Sequence, residues 1–126
     1  MIVLDTDVII EIFDKRSKKG DEALRKILES DDKISITAID LHEIIHGLHK
    51  YAKPVREVLQ LPVLDYGKRE AQLSAKLEGE ADKAGTTIHR TDAMIAAIAI
   101  NNGASFYTMD LSHFKPLKSH GLKLFS

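Results

Sequence analysis

Short apolar runs alternate along this chain with longer stretches of helical periodicity, and that order admits few architectures. Ile2 to Leu4 is an apolar run that stops at Asp5-Thr6-Asp7, a strand ending on a polar turn. Residues 7–13 then suit a short helix with Asp7 near its start, where an acid favours the positive helix end. Residues 14–20 read as a charged connection, and Leu24, Ile27 and Leu28 predict a second helix over 21–30. Ile34-Ser-Ile-Thr37 alternates and is rich in β-branched residues, which predicts a second strand. Leu41, Ile44, Ile45, Leu48 and Ala52 form one apolar stripe, so a helix is expected over 38–52, with Pro54 just past its end. Val55 to Leu59 suit a further helical turn, and Leu61 to Tyr66 a short strand with Pro62 at its start.

Residues 67–84 predict a long charged helix ended by Gly85. Thr91, as N-cap, and Asp92 open an apolar helix running from Ala93 to Ile100. Ser105 to Thr108 and Leu122 to Phe125 complete the strands. Strands alternating with helices predict an α/β fold, a parallel sheet covered by helices on both faces. With 126 residues and no internal linker or repeat, one domain over 1–126 is expected.

Composition narrows the chemistry. The absence of cysteine excludes disulfides, thiol nucleophiles and cysteine metal sites, so any metal must be held by oxygen or imidazole. Eighteen basic residues against nineteen acidic ones argue against an indiscriminate nucleic-acid coat and leave room for a local basic patch. Lys15, Arg16, Lys18 and Lys19 form a basic run, read as a solvated connection. No apolar run approaches the roughly 20 residues of a membrane span, and the first residues lack the basic flank of a secretory signal. A cytoplasmic location is expected.

Ligand crevices of open parallel sheets lie beyond the carboxyl ends of the strands. Asp5 ends the first strand, Asp110 follows the Phe106–Thr108 strand, Asp92 lies in the first turn of the preceding helix, and Glu43 lies on the helix after the second strand. The topology can bring Asp5, Glu43, Asp92 and Asp110 to one rim. Two carboxylates about 4–5 Å apart repel by roughly 3–4 kcal/mol at an effective dielectric near 20. A cluster of four must therefore take up protons or bind cations. Hard ions such as Mg²⁺ or Mn²⁺ prefer carboxylate oxygen and water, and can activate a water for in-line displacement at phosphorus.

The chain resembles the PIN-domain family, and within it the VapC-type toxins. The matching pieces are Val3-Leu4-Asp5-Thr6-Asp7, Glu43-Ile-Ile-His-Gly47-Leu48, Thr91-Asp92-Ala-Met-Ile-Ala-Ala97, and Tyr107-Thr108-Met-Asp110 leading to His113-Phe114. They cover essentially the whole chain in order. The resemblance implies a three-layer α/β/α fold with a central parallel sheet of about five strands. It implies Mg²⁺- or Mn²⁺-dependent endoribonuclease activity with Asp5, Glu43, Asp92 and Asp110 as catalytic metal ligands. Thr108 matches the hydroxyl position beside the last acid, orienting a ligand or water, and Asp7 stands where the family often has asparagine. The family also implies an RNA substrate, a homodimer, and a cognate antitoxin protein whose tail occupies the active-site groove. Arg90, beside Asp92, is the candidate for steering a substrate phosphate.

Two enzymatic alternatives compete. His42-Glu43-Ile-Ile-His46 is a literal match to the zinc-peptidase helix motif, with His49 extending the stripe. A catalytic zinc also needs a third ligand, which His49 on the same helix cannot supply without strain, and this alternative ignores Asp5, Asp92 and Asp110. The histidine stripe is then a partly solvated face or a subunit contact. Leu4-Asp5-Thr6-Asp7-Val8 also resembles the first motif of haloacid-dehalogenase-type phosphatases, with Asp5 as nucleophile and Asp7 as general acid, but of the later acidic pair and catalytic lysine that fold needs only Asp110 stands in the right region, and the chain is short. A receiver-like phosphoacceptor using Asp5, Asp7 and Asp65 wants a lysine ending the last strand, where Lys123 sits inside it.

Overall fold

The structure, a computed structural model, describes residues 1–50 and 56–126. Five parallel strands form one sheet: β1 (Ile2–Leu4), β2 (Ile34–Thr37), β3 (Val63–Leu64), β4 (Ser105–Tyr107) and β5 (Lys123–Leu124), in the order β3-β2-β1-β4-β5. The chain builds outward from β1 to β3 on one side, then returns to place β4 and β5 on the other. The switch in direction therefore falls between β1 and β4, where an open parallel sheet leaves a crevice at its carboxyl ends.

Alternation within the strands splits the core into two layers. Val3 and Phe106 face one side, with Ala93, Ala96, Ala97, Phe114 and Leu122. Ile2, Leu4, Ile36 and Tyr107 face the other, with Val8, Ile9, Ile27, Ile44 and Val58. Together the layers give the three-layer α/β/α arrangement. On the Val3 face lie α5 (Lys68–Lys83) and α6 (Arg90–Asn101). The alanines of α6 are almost wholly buried, and their small side chains bring the helix close to the sheet.

The helices α1 (Thr6–Ile9), α2 (Lys18–Ser30), α3 (Ala38–Lys50) and α4 (Arg56–Leu59) contribute to the opposite layer, and α7 (Leu111–Phe114) follows β4. The expected helix over 7–13 starts earlier and ends later: Asp5 caps Thr6–Ile9, and the chain continues in π-helical geometry through Ile10–Lys15. The expected connection over 14–20 is correspondingly short. Arg16 turns in the left-handed region at φ 50°, Ser17 caps α2 through Gly20 N–H at 3.0 Å, and α2 begins at Lys18. Gly20 is required there, because a Cβ would meet the Glu11 carbonyl oxygen at 2.1 Å.

Other boundaries shift for local reasons. Thr91 does not cap α6. His89 holds that position, its carbonyl accepts Ala93 N–H at 3.0 Å, and its ring lies 3.7 Å from Asp92, whose charge complements the helix start. Gly85, at φ 74°, follows α5 as expected, with Thr86 N–H closing onto Ala81 O at 2.9 Å. The strand expected over Leu61–Tyr66 pairs only at Val63 and Leu64, and the last strand only at Lys123 and Leu124. Pro54 and Ala52, and the side chains of Leu48 and His49, lie outside the described residues. Among the described residues no helix is long and apolar enough to cross a membrane.

Candidate active site

The carboxyl ends of β1 and β4 meet through side chains. Asp5 leaves β1 nearly buried, at 8% exposure, with Oδ1 accepting Thr6 N–H at 2.9 Å. Thr108, just past β4, donates its hydroxyl to Asp5 Oδ2 at 2.7 Å and accepts Asp110 N–H at 3.0 Å. A hydroxyl carries one proton, so its 3.4 Å approach to Asp7 Oδ2 is the weaker partner of a shared donor. Asp7 Oδ2 also accepts Met109 N–H at 3.1 Å. Asp7 thus ties α1 to the turn after β4, while its other oxygen is buried without a hydrogen-bond partner. Burial, then the adjacent Asp5 charge, push the Asp7 carboxyl up to about 6.

Glu43 projects from the second turn of α3 and Asp92 from the first turn of α6. Burial raises the Glu43 pKa, and the charges of Asp5 and Asp92 raise it further. Asp92 is raised chiefly by burial; His89 and His113 offset this, while Asp5 and Asp110 add to it. Asp5, Glu43 and Asp92, from three separate elements, thus bear on one another's ionisation, and Asp110 bears on Asp92. Asp110 stands at the edge of this group. It accepts Ser112 Oγ at 3.1 Å and bonds His113 Nδ1, a contact that lowers the Asp110 pKa and raises that of His113.

The sequence reading missed Asp40. Its carboxyl is completely buried, with Oδ1 accepting the Thr6 hydroxyl at 2.9 Å and Oδ2 accepting the Thr37 hydroxyl at 2.8 Å. Burial and the neighbouring Asp5 charge raise its pKa well above the usual carboxylate range. Asp40 thereby fastens the start of α3, which carries Glu43, to the turn that carries Asp5. The signal available was Thr37-x-x-Asp40, a helix-start spacing, and Asp40 N–H does bond Thr37 Oγ1 at 2.9 Å.

Arg90 is already paired with an acid outside the rim. Its guanidinium pairs with Glu78 at 3.1 and 3.4 Å on the α5 side. His42 and His46 are both exposed on α3. Among the described residues no three His, Asp or Glu side chains stand as a ready metal cage, neither with the histidines nor with the acids. For a zinc site, which needs three fixed protein ligands, that is a poor fit. A hard dication makes a smaller demand, because Mg²⁺ keeps several waters and takes one or two carboxylates. The all-oxygen donors, their mutual repulsion and the unpartnered Asp7 Oδ1 fit such an ion.

The profile of the PIN domain family matches residues 2–116. The chain belongs to the PIN domain family. This membership disfavours the peptidase and haloacid-dehalogenase alternatives. Ribonuclease VapC2 of Haemophilus influenzae is similar to this PIN domain at 26% identity over 120 residues, covering 90% of the chain and 89% of its relative. Ribonuclease VapC1 of Methanocaldococcus jannaschii is 30% identical over 129 residues, covering 98% and 86%. Among solved structures, VapBC2 from Rickettsia felis bound to a promoter DNA fragment shares the PIN fold with a TM-score of 0.82 at 24% identity, covering 99% of this chain and 98% of that one. DNA-bound VapBC from Salmonella typhimurium gives 0.76 at 28% identity, covering 98% and 96%.

Proposed function

We propose that this PIN domain is an endoribonuclease that hydrolyses RNA phosphodiester bonds with Mg²⁺ or Mn²⁺, and that it is the toxin of a toxin–antitoxin pair. The observation that carries the reading is the Thr108 bridge between Asp5 and the Asp110 backbone at the switch point of the sheet, with Glu43 and Asp92 electrostatically coupled to it. Ribonuclease relatives that span nearly the whole chain support it, as do VapBC complexes of the same fold.

Asp5, Glu43, Asp92 and Asp110 would hold the ion. When bound, a divalent cation supplies Lewis acidity to the phosphate and lowers the pKa of water. Asp5 is held in one orientation by Thr6 N–H and Thr108 Oγ1, so its remaining lone pairs are aimed without loss of rotamer freedom on binding. Thr108 donates to Asp5 and so fixes the separation of the β1 and β4 acids. Glu43, its pKa raised by burial and by the charges of Asp5 and Asp92, is the acid of the rim best suited to share or accept a proton. Arg90 can meet a substrate phosphate only by leaving Glu78.

The proposal includes a cytoplasmic site of action, one folded unit over residues 1–126, a homodimer, and inhibition by a small antitoxin protein seated over the acidic rim. The test is cleavage of a single-stranded RNA pool with Mg²⁺ or Mn²⁺. Asp5→Asn should abolish cleavage while leaving circular dichroism and melting close to wild type. Wild-type-like cleavage by Asp5→Asn, or no RNA cleavage by the native chain with either ion, overturns the reading.

A further inference from the structure

A cavity of about 450 Å³ opens beside Asp92, between the end of α5, the loop leading to α6, and the short helical turns after β4. Its volume lies within the ordinary range of small-ligand sites. Among its lining residues there is no lysine or arginine, while Glu80 and Asp92 both belong to it. Each of these acids is paired with a lining histidine, Glu80 with His120 and Asp92 with His89, so the lining has no fixed cation to draw the phosphate of a nucleic acid.

The remaining lining suits a flat, neutral, hydrogen-bonding ring. Leu77 and Leu117, nearly fully buried, supply apolar floor. His89 and His113 stand at one wall with ring centroids 5.3 Å apart, their side chains 66% and 53% exposed. The Nδ1 atoms of both rings are turned toward acids of the rim, Asp92 and Asp110, which leaves the opposite ring edges and the exposed faces for a ligand. Unpaired bases are recognised in this way, by stacking on aromatic or imidazole faces and bonding along their edges. At another wall the His120–Glu80 pair, 2.9 Å apart, offers both a donor and an acceptor.

We propose that this cavity holds the base of the nucleotide beside the scissile phosphate, and that it sets the sequence preference of the enzyme. The proposal rests on the ribonuclease reading, because Asp92 is shared by the cavity and the acidic rim and so places the two within one nucleotide of each other.

The test uses the full chain in chelator, with AMP, GMP, CMP and UMP as separate probes and the histidine ring protons followed by NMR. The expected result is saturable shifts of His89 and His113 in the millimolar range, stronger for some bases than others. Ala81→Trp and Ser119→Trp fill the cavity from two different elements, and each should weaken binding by about tenfold or more while melting stays close to wild type. No saturable shift with any nucleotide overturns the proposal. So do the same shifts with inorganic phosphate alone, or unchanged binding in both filled variants. Shifts produced by an antitoxin peptide but by no nucleotide also overturn it and give the cavity to the partner protein. RNA cleavage without nucleotide binding defeats the base pocket alone, and nucleotide binding without RNA cleavage sustains the pocket and defeats the ribonuclease reading.

Discussion

The Thr108 hydroxyl lies 2.7 Å from Asp5 Oδ2 and bonds the two central strands together at their carboxyl ends, across 103 residues of sequence. Thr108→Val keeps the shape but removes the donor to Asp5 and the acceptor for Asp110 N–H. The kcat/KM for RNA should fall by about tenfold to a hundredfold, roughly 1.4–2.7 kcal/mol in the barrier. Thr108→Ser should recover most of it, because the hydroxyl returns. Equal rates in Thr108→Val and wild type would show that the bridge is structural decoration.

Asp7 gives a pH-dependent stability with a definite sign. Its folded-state pKa of about 6 exceeds the ordinary 3.8, so between those values the native chain keeps a proton that the unfolded chain has released. Stability is therefore greatest in acid with respect to this group and declines as pH rises toward 6. The decline is about 1–3 kcal/mol after allowance for partial exposure. Asp7→Asn preserves an acceptor for Met109 N–H and removes the charge. In chelator it should raise the melting temperature near neutral pH and leave it unchanged well below the usual carboxylate range. A neutral-pH melting temperature at or below wild type would refute this.

Asp40 satisfies hydroxyls on two elements at once, so truncation strands both. Asp40→Ala should cost about 1–3 kcal/mol by chemical denaturation, the penalty for buried groups left without partners. Asp40→Asn, which keeps one carbonyl oxygen as an acceptor, should cost less. If the two variants unfold at the same denaturant concentration, Asp40 does not hold α3 to β1 as described.

Gly20→Ala ought to help an exposed helix by up to about 1 kcal/mol on propensity alone. Here the added methyl would lie 2.1 Å from the Glu11 carbonyl oxygen, and backbone cannot yield as a side chain does. The expected outcome is a loss of about 1–3 kcal/mol in urea unfolding. A gain would mean that the π-helical segment shifts freely away from α2.

The parallel sheet was legible because its central strands are apolar and β-branched and are spaced by amphipathic helices. Asp5, Asp92 and Asp110 were legible because each sits directly beside a strand end or a helix start. Edges were harder to place: β3 and β5 pair at only two residues each, since neither has a neighbour on its outer side to extend the ladder. The joint at Arg16 and Gly20 was hidden inside a basic stretch that looks like solvated connection. What shapes it is a close backbone approach, which leaves no hydrophobic periodicity. Asp40 was masked by the apolar stripe of its own helix. The partner of Arg90 lies on a different helix, so no local spacing could reveal that the guanidinium pairs with Glu78.

The order β3-β2-β1-β4-β5 has a consequence during synthesis. The first half of the rim, Asp5 and Glu43, is made early, yet its central neighbour strand β4 and the Thr108 bridge follow only 103 residues after Asp5. A growing polypeptide therefore carries the early acids without the groups that complete the crevice. Completion of the crevice thus waits on β4, whatever the order in which the rest of the sheet forms.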